Sequence, residues 1–516
     1  MSTYFSCVSN KPAMSYQCGE TMTIQIIPKR NCMEIECPRI KWSLQGDDGK
    51  SSEGFGSAEP GKPLILETTI DRPGFVKINC VAVDEEGNEI ADFDPLIGSV
   101  GAEVEKLSYH DTLPEDFQEY WADIETLIAN CDCKLLSQVE LTEGVKEDYY
   151  VYDVRIETPC GRPASGTITI PKAEGKYPIR VTYMGYGVHI TQPLYTPNYI
   201  TAFFNAHGIE NTMPVEQLRE KYKDLMCGED GLTYGFHEDL NADKMRTYYR
   251  DMMIRNLAAV KYMKTLPQWD GKGLEVAGGS QGGYQAIVVA AHDKDVTFVD
   301  VYIPWFCDIN GSNHGYIKSL WVPKFQDGLR YFDCVAHGMQ LKCPIKILAY
   351  SGDFTCPPST VMALYNSIKA PKHLEMVQLK RANAEQLMTA YQMKSMIAMN
   401  QKDKEGYLKI AEDLSAVRNE KNAPVIDSCL KENTINTYLY FDYDSKVISM
   451  ISKEIEQCEG PAKGRLQMLL AKAYRLNQQD KEAMKALEKA KQLLKGTEME
   501  PLIKSALQDL TILDNE

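Results

Sequence analysis

The stretch Leu274-Glu275-Val276-Ala277-Gly278-Gly279-Ser280-Gln281-Gly282-Gly283-Tyr284 reads as a strand, a tight turn and the start of a helix. An apolar run leads in from Leu274 to Ala277, and a second continues from Tyr284 to Ala291. A serine in a G-x-S-x-G pentapeptide at such a junction sits on a sharp elbow, which lifts its hydroxyl above the end of a parallel sheet. Small residues are required at Gly278 and Gly282, because a side chain there would collide with the neighbouring strand and helix. Read alone, the pentapeptide also suits a plain glycine-rich turn, so the surrounding chain has to carry the assignment.

Outward from the elbow, β and α patterns alternate. Strands are predicted at Tyr150–Ile156, Thr167–Ile170, Ile179–Tyr183, Ile200–Phe204, Thr297–Ile303 and Ile345–Tyr350. Before them, Leu113, Phe117, Trp121, Ile124 and Ile128 recur at steps of three and four, one stripe of an amphipathic helix. A longer helix is predicted over Met245–Thr265, with Tyr249, Met253, Leu257 and Val260 on one face. This alternation implies a mostly parallel sheet covered on both faces, and with the elbow in place the expected fold class is an α/β-hydrolase.

Two regions flank that domain, which the composition bounds at residues 99–380. From residue 1 to 98 the apolar residues alternate, as in Met22, Ile24, Ile26 and Val76, Ile78, Cys80, between turns at Gly46-Asp47-Asp48-Gly49, Pro60-Gly61 and Glu86-Gly87-Asn88. A small immunoglobulin-like β-sandwich is expected there, as a spacer or packing module rather than a carbohydrate binder. Residues 381–516 are rich in helix formers. Leu470, Ala471, Tyr474, Ala483, Leu487 and Ala490 have the spacing of a tetratricopeptide helix pair, and Asn400–Glu405 is echoed by Asn477–Glu482. Both a tetratricopeptide-like array and an irregular helical bundle remain open, and either suits contact with a protein partner better than chemistry.

The 516 residues exceed one hydrophobic core, and 44% hydrophobic with 25% charged residues is an ordinary globular composition. A formal net charge of -16 argues against nucleic acid as a partner, since phosphate binding needs a basic surface. No run approaches the ~20 apolar residues of a membrane span. The 15 cysteines show no CxxC pair or zinc-like spacing, so no metal site or redox motif is expected. Met1–Cys7 lacks the basic and apolar regions of a secretory signal. The expectation is a cytoplasmic protein as written, and a secreted or periplasmic one if a leader precedes Met1.

A serine hydroxyl needs a general base, normally a histidine oriented by a carboxylate, and two donors for the oxyanion. In this fold the carboxylate follows a late strand, and Ser351-Gly352-Asp353 follows Ile345–Tyr350, so Asp353 is the candidate; its other reading is a turn cap. The backbone N–H of Gln281, next after the nucleophile, is one expected oxyanion donor. The N–H of Tyr186, in the loop Met184-Gly185-Tyr186-Gly187, is the other.

Residues from about 100 to 378 resemble the acetyl xylan esterase and cephalosporin C deacetylase family, carbohydrate esterase family 7. The resemblance rests on Gly185-Tyr186-Gly187, Asn205-Ala206-His207-Gly208-Ile209, Trp269-Asp270-Gly271, Gly278 to Gly283, and Asp353-Phe354-Thr355-Cys356-Pro357-Pro358-Ser359-Thr360-Val361 with Tyr365-Asn366. It implies Ser280 as nucleophile, Asp353 as the acidic triad member, and Tyr186 with Gln281 as oxyanion donors. It also implies removal of O-acetyl groups from small acetylated sugars such as xylo-oligosaccharides, with no metal or other cofactor, by a homo-oligomer.

One element of the family pattern is absent. The family's histidine lies roughly thirty residues beyond the aspartate, where this sequence runs Gln378-Leu379-Lys380-Arg381-Ala382, and no histidine follows His373. His373 could act in its place, or His207, His237, His189 or His314 could reach in from another loop. The reading favoured by the sequence is that no base is present and that the domain is truncated where the helical region begins. The expected function is then an impaired serine ester hydrolase. Its rival is a catalytically inactive protein that binds acylated carbohydrate and recruits a partner through the helices.

Overall fold

The computed structural model describes residues 3–30, 33–91, 93–227, 231–379, 404, 407–408, 435, 437, 446–457, 460–477, 479–495 and 503. These fall into two compact units, residues 3–379 and the helical residues from 404 onward.

The first unit begins with nine strands: β1 (Thr3–Ser9), β2 (Met22–Arg30), β3 (Met33–Glu34), β4 (Cys37–Gly46), β5 (Ser51–Ala58), β6 (Leu64–Thr68), β7 (Gly74–Ala82), β8 (Phe93–Asp94) and β9 (Leu96–Ala102). One sheet runs β3-β2-β1-β8 with β6 paired to β2, and the other runs β5-β4-β7-β9. Period-two alternation turns Met22, Ile24 and Ile26 of the first sheet and Val76, Ile78 and Cys80 of the second into one buried core.

After α1 (Phe117–Ala129) the chain lays down β10 (Leu135–Leu141), β11 (Tyr149–Ile156), β12 (Ala164–Pro171), β13 (Tyr177–Tyr183) and β14 (Ile200–Phe204). Next come α2 (Val215–Cys227), α3 (Glu238–Asn241), α4 (Tyr248–Met263), β15 (Trp269–Gly279) and α5 (Gln281–His292). Then β16 (Phe298–Tyr302), α6 (Cys334–Gly338), β17 (Ile345–Tyr350), α7 (Pro358–Ser367) and β18 (Lys372–Val377) complete the unit. The nine strands β10-β11-β12-β14-β13-β15-β16-β17-β18 form one sheet, antiparallel up to the β12–β14 pair and parallel beyond it. This is the α/β-hydrolase architecture, with the elbow at the carboxyl end of β15, where ligands of open α/β sheets bind.

The sheet's two faces differ. Ile179, Val181, Tyr183, Val276, Val299, Val301 and Ile347 point to the face where α1, α4, α5 and α6 pack, forming the main core. The other face carries Arg180, Thr182, Glu275, Asp300, Tyr302 and Lys346, and Tyr302 is 52% exposed. Arg180 there bridges Glu275 (2.8 Å) and Asp300 (2.6 Å). Of the coverage of both faces expected from the β/α alternation, one face is seen to carry its helices; among the described residues, 184–199 between β13 and β14 run as a loop and lay no helix on the other. At the far edge the chain leaves β18 toward the sandwich. The Gln378 carbonyl accepts from Ser99 N–H (3.2 Å), and Leu379 packs into the sandwich core.

In the second unit, α8 (Lys446–Gln457), α9 (Gly460–Leu476) and α10 (Asp480–Leu493) bury Ile451, Leu470, Ala471, Ala483, Leu487 and Ala490 in a common cluster. Of the echo at Asn400–Glu405, only Lys404 lies within the described residues. Among the described residues no helix is long and apolar enough to cross a membrane.

Candidate active site

Ser280 has φ 54° and ψ -121°, a conformation that L-residues rarely adopt and that persists only where the surroundings enforce it. Its N–H donates to Tyr302 O (3.0 Å), and its C=O accepts from Tyr284 N–H and Trp305 N–H, both at 3.1 Å. The glycines are sterically required. A Cβ on Gly282 would lie 2.1 Å from the Tyr183 carbonyl oxygen, and one on Gly278 would lie 2.4 Å from the Gly282 carbonyl carbon. The strand, the turn and the helix thus interlock through main-chain atoms alone.

On one side of the elbow the two candidate oxyanion loops are fastened together. Gln281 opens α5, so its N–H is among those an α-helix leaves without an intrahelical partner. Its buried side chain accepts from the Tyr234 hydroxyl (3.1 Å), which in turn accepts from Gly187 N–H (3.1 Å). The ring of Tyr186 stacks on Tyr234 with centroids 4.3 Å apart, and its hydroxyl reaches Thr233 Oγ1 (2.6 Å) and Tyr234 O (2.9 Å). Burial pushes the Tyr186 hydroxyl well above the usual phenol range, so it stays protonated. Gln285, one turn along α5, donates to Met184 O (2.8 Å) and closes the same junction.

On the other side stands Asp353, 7% exposed, in the turn after β17. Its Oδ1 accepts from Thr355 N–H (2.8 Å) and Cys356 N–H (3.2 Å), so the carboxylate does cap a turn, through one oxygen. The fully buried Cys356 thiol meets the Ser280 hydroxyl. Burial first, and the Asp353 charge second, raise this thiol far above its ordinary range, outweighing the lowering contact with Ser280. A neutral thiol cannot accept the serine proton.

All eight histidines lie in the described residues, and none is hydrogen-bonded to Ser280 or Asp353 among them. His207 is buried with both nitrogens used. Nε2 faces the Gly187 carbonyl (3.0 Å) and must carry the hydrogen, so Nδ1 accepts from the Tyr248 hydroxyl (2.5 Å). Burial drives its pKa down to about 3. His373 pairs with Lys346, two residues short of the row Gly279–Tyr302–Leu348–Glu375. Three strand spacings put it about 14 Å to the side of the elbow strand, toward the opposite end of the sheet. His189 lies beside Gly187, and His314 is exposed and stacks on His110, which bonds Asp308 (2.7 Å). His237 precedes α3 and lines a separate cavity with Tyr248 and Arg246. His292 and His337 bond each other (3.0 Å) in the core beneath α1.

Tyr234, the clasp between the oxyanion loops, and Cys356, the group against the nucleophile, were not singled out from sequence. The run Gly231-Leu232-Thr233-Tyr234-Gly235-Phe236, with its glycines and aromatics between helical patterns, is the one signal that pointed there.

The acetyl xylan esterase family model matches residues 101–312 and 324–402. Acetyl esterase Axe7A of Xylanibacter ruminicola is 29% identical over 343 residues, covering 62% of this chain and 74% of its own length. Among solved structures, acetyl xylan esterase 1 from Thermoanaerobacterium sp. JW/SL YS485 shares 20% identity over 53% of this chain and 90% of its own, with a TM-score of 0.45. The acetyl xylan esterase from Paenibacillus sp. R4 shares 18% over 53% and 92%, with a TM-score of 0.44.

Proposed function

Because the chain belongs to the acetyl xylan esterase family, we propose that residues 99–380 act on O-acetyl esters of sugars such as xylo-oligosaccharides, with Ser280 as nucleophile and Asp353 as its acidic partner. The N–H groups of Tyr186 and Gln281 receive the oxyanion. Ser280 Oγ attacks the acetyl carbon, the carbonyl oxygen takes the negative charge, and the bond to the sugar oxygen breaks to leave an acyl-serine that water hydrolyses. In each half the proton must pass from the attacking oxygen to the departing one, a task normally given to histidine. The observation that carries the reading is the strained Ser280 at the β15–α5 junction, held by three main-chain hydrogen bonds. Among the described residues no histidine is hydrogen-bonded to Ser280 or Asp353, so on this reading the enzyme works without a dedicated base, at the ~10^3-fold acceleration over water that an oxyanion hole and binding can sustain.

A neutral Cys356 thiol against Ser280, where an acceptor is needed, favours a second reading: a site that binds acylated sugar without turnover. In both readings residues 1–98 are an immunoglobulin-like spacer and residues 381–516 a tetratricopeptide-like surface for a protein partner. A fluorophosphonate serine probe separates the readings. Labelling of the wild type but not of Ser280→Ala, with faster release of p-nitrophenol from p-nitrophenyl acetate, supports the hydrolase. Neither labelling nor excess hydrolysis over Ser280→Ala would leave only the binding protein.

A further inference from the structure

The stretch 313–323, which the family pattern leaves unmatched, crosses the mouth of the site between its two halves. On the Asp353 side, Leu320 N–H donates to Phe354 O (2.9 Å), and the Ser319 hydroxyl donates to Thr355 O (2.6 Å) while accepting from Trp321 N–H (3.1 Å). On the oxyanion side, the Trp321 ring meets Tyr186 edge-on at 5.4 Å and packs on Phe236 at 4.9 Å. From below, Trp305, whose N–H holds the Ser280 carbonyl, donates its indole N–H to Trp321 O (2.7 Å). The sandwich fixes the same stretch from outside. The Arg72 guanidinium donates to His314 O (3.1 Å), and Ile317 N–H donates to the buried Asp47 (2.7 Å).

This bracing holds in place an aromatic ring that stays 39% exposed, next to Leu320 at 69%. Folding alone does not account for a large apolar pair left in water on a segment anchored at five points, whereas recognition does. We propose that Trp321 is a stacking platform for a sugar ring on the alcohol side of the ester, supplied by a segment outside the family pattern and held by the amino-terminal sandwich. The acyl carbon sits at Ser280 beside Tyr186, so the alcohol portion has to leave past the rim that Trp321 occupies. A pyranose presents a flat array of C–H groups that an indole face receives, whereas a small alkyl alcohol offers little area to stack. The inference rests on the ester-hydrolase reading.

The test is calorimetric titration of the full chain, in a Ser280→Ala background that prevents turnover, with mono-acetylated xylotriose. Trp321→Ala should weaken binding about tenfold, and Trp321→Phe, which keeps a ring, should retain most of the affinity. The anchoring bonds of residue 321 are main-chain, so the fold should survive, and the Phe variant provides the comparison if Ala perturbs it. Equal affinity in Trp321→Ala and its background overturns the platform while leaving the hydrolase reading in place. If the background itself does not bind the trisaccharide but wild type labels with fluorophosphonate, the platform falls and the serine assignment stands. Absence of both binding and labelling removes both.

Discussion

The oxyanion side of Ser280 and its Asp353 side are built by different means. On the first, the geometry is held by main chain: three hydrogen bonds at Ser280, glycines at 278 and 282 too close to neighbours for a side chain, and Tyr234 clasping Gln281 to Gly187. On the second, Asp353 spends one oxygen on its own turn and meets a buried thiol near the nucleophile, and β18 runs off into the sandwich at Gln378 and Leu379. A main-chain site survives sequence drift as long as its glycines do. A proton relay depends on one side chain, and rerouting a single segment removes it. Among the described residues the main-chain half of the site is in place, and no histidine is hydrogen-bonded to its side-chain half.

Gly282→Val attacks the intact half directly. With a Cβ 2.1 Å from the Tyr183 carbonyl oxygen, β13 and α5 must separate. The expected cost is about 3 kcal/mol or more in urea unfolding, together with complete loss of serine-probe labelling. A neutral result would mean that the elbow tolerates a side chain and that its glycines are incidental.

Free imidazole addresses the deficient half. If only the proton acceptor is missing, imidazole in the buffer should raise p-nitrophenyl acetate hydrolysis by the wild type about tenfold above its effect on Ser280→Ala, well short of the ~10^3–10^4 that a positioned triad member supplies. Equal stimulation of both proteins places the defect elsewhere, in the carboxylate or the oxyanion hole.

Acid stability follows from the buried histidines that do not reach the serine. Burial lowers the pKa of His207 to about 3, and also lowers those of His292 and His337. Each group is therefore protonated more readily in the unfolded chain. The stability they contribute is complete above the unfolded value near 6.5 and is lost as pH falls below it. The slope is about 1.4 kcal/mol per pH unit for each such group until its folded pKa is reached. All five tryptophans lie between residues 42 and 321, so their fluorescence in urea reports on the esterase unit alone. Replacing His207 by Gln should flatten the slope between pH 6 and 4 by about one proton. An unchanged slope would mean that His207 is solvated in the folded state.

The sheet was legible because its strands are short apolar or alternating runs. Residues 345–350 were predicted as β17 and are found with those bounds, and the helix predicted over Met245–Thr265 is found as α4 over Tyr248–Met263. The elbow was legible because steric exclusion writes itself as glycine. The loop at 184–199, which lays no helix on the Arg180 face, was not, because it has no pattern distinguishing it from a helix poor in periodicity. Nor were Tyr234 and Trp321, whose neighbours in space lie in loops far apart in sequence, where no period links them. His292 and His337, 45 residues apart, meet only through the packing of α5 on α6.

The smallest effect expected is that of His373→Gln, and it bears on whether the Asp353 side is truly without a base. His373 is the second residue of the last strand and is nearest in sequence to the place where the family carries its histidine. The register of β18 places it beside Lys346, near the amino end of the parallel strands, with its side chain in solvent. Moving it to Ser280 would require β18 to slide by two residues against β17 and then detach from it, since the slide alone leaves His373 about 14 Å to the side of the elbow strand. Both steps break ladder hydrogen bonds and the packing of Leu374 and Met376 on the core. The cost of that rearrangement exceeds what one hydrogen bond returns. Hydrolysis and probe labelling by His373→Gln should therefore match wild type within about a factor of two, and stability should shift by less than ~0.5 kcal/mol, as for any exposed substitution. A loss approaching that of Ser280→Ala would show that the strand does slide, and the two halves of the site would then be equally complete.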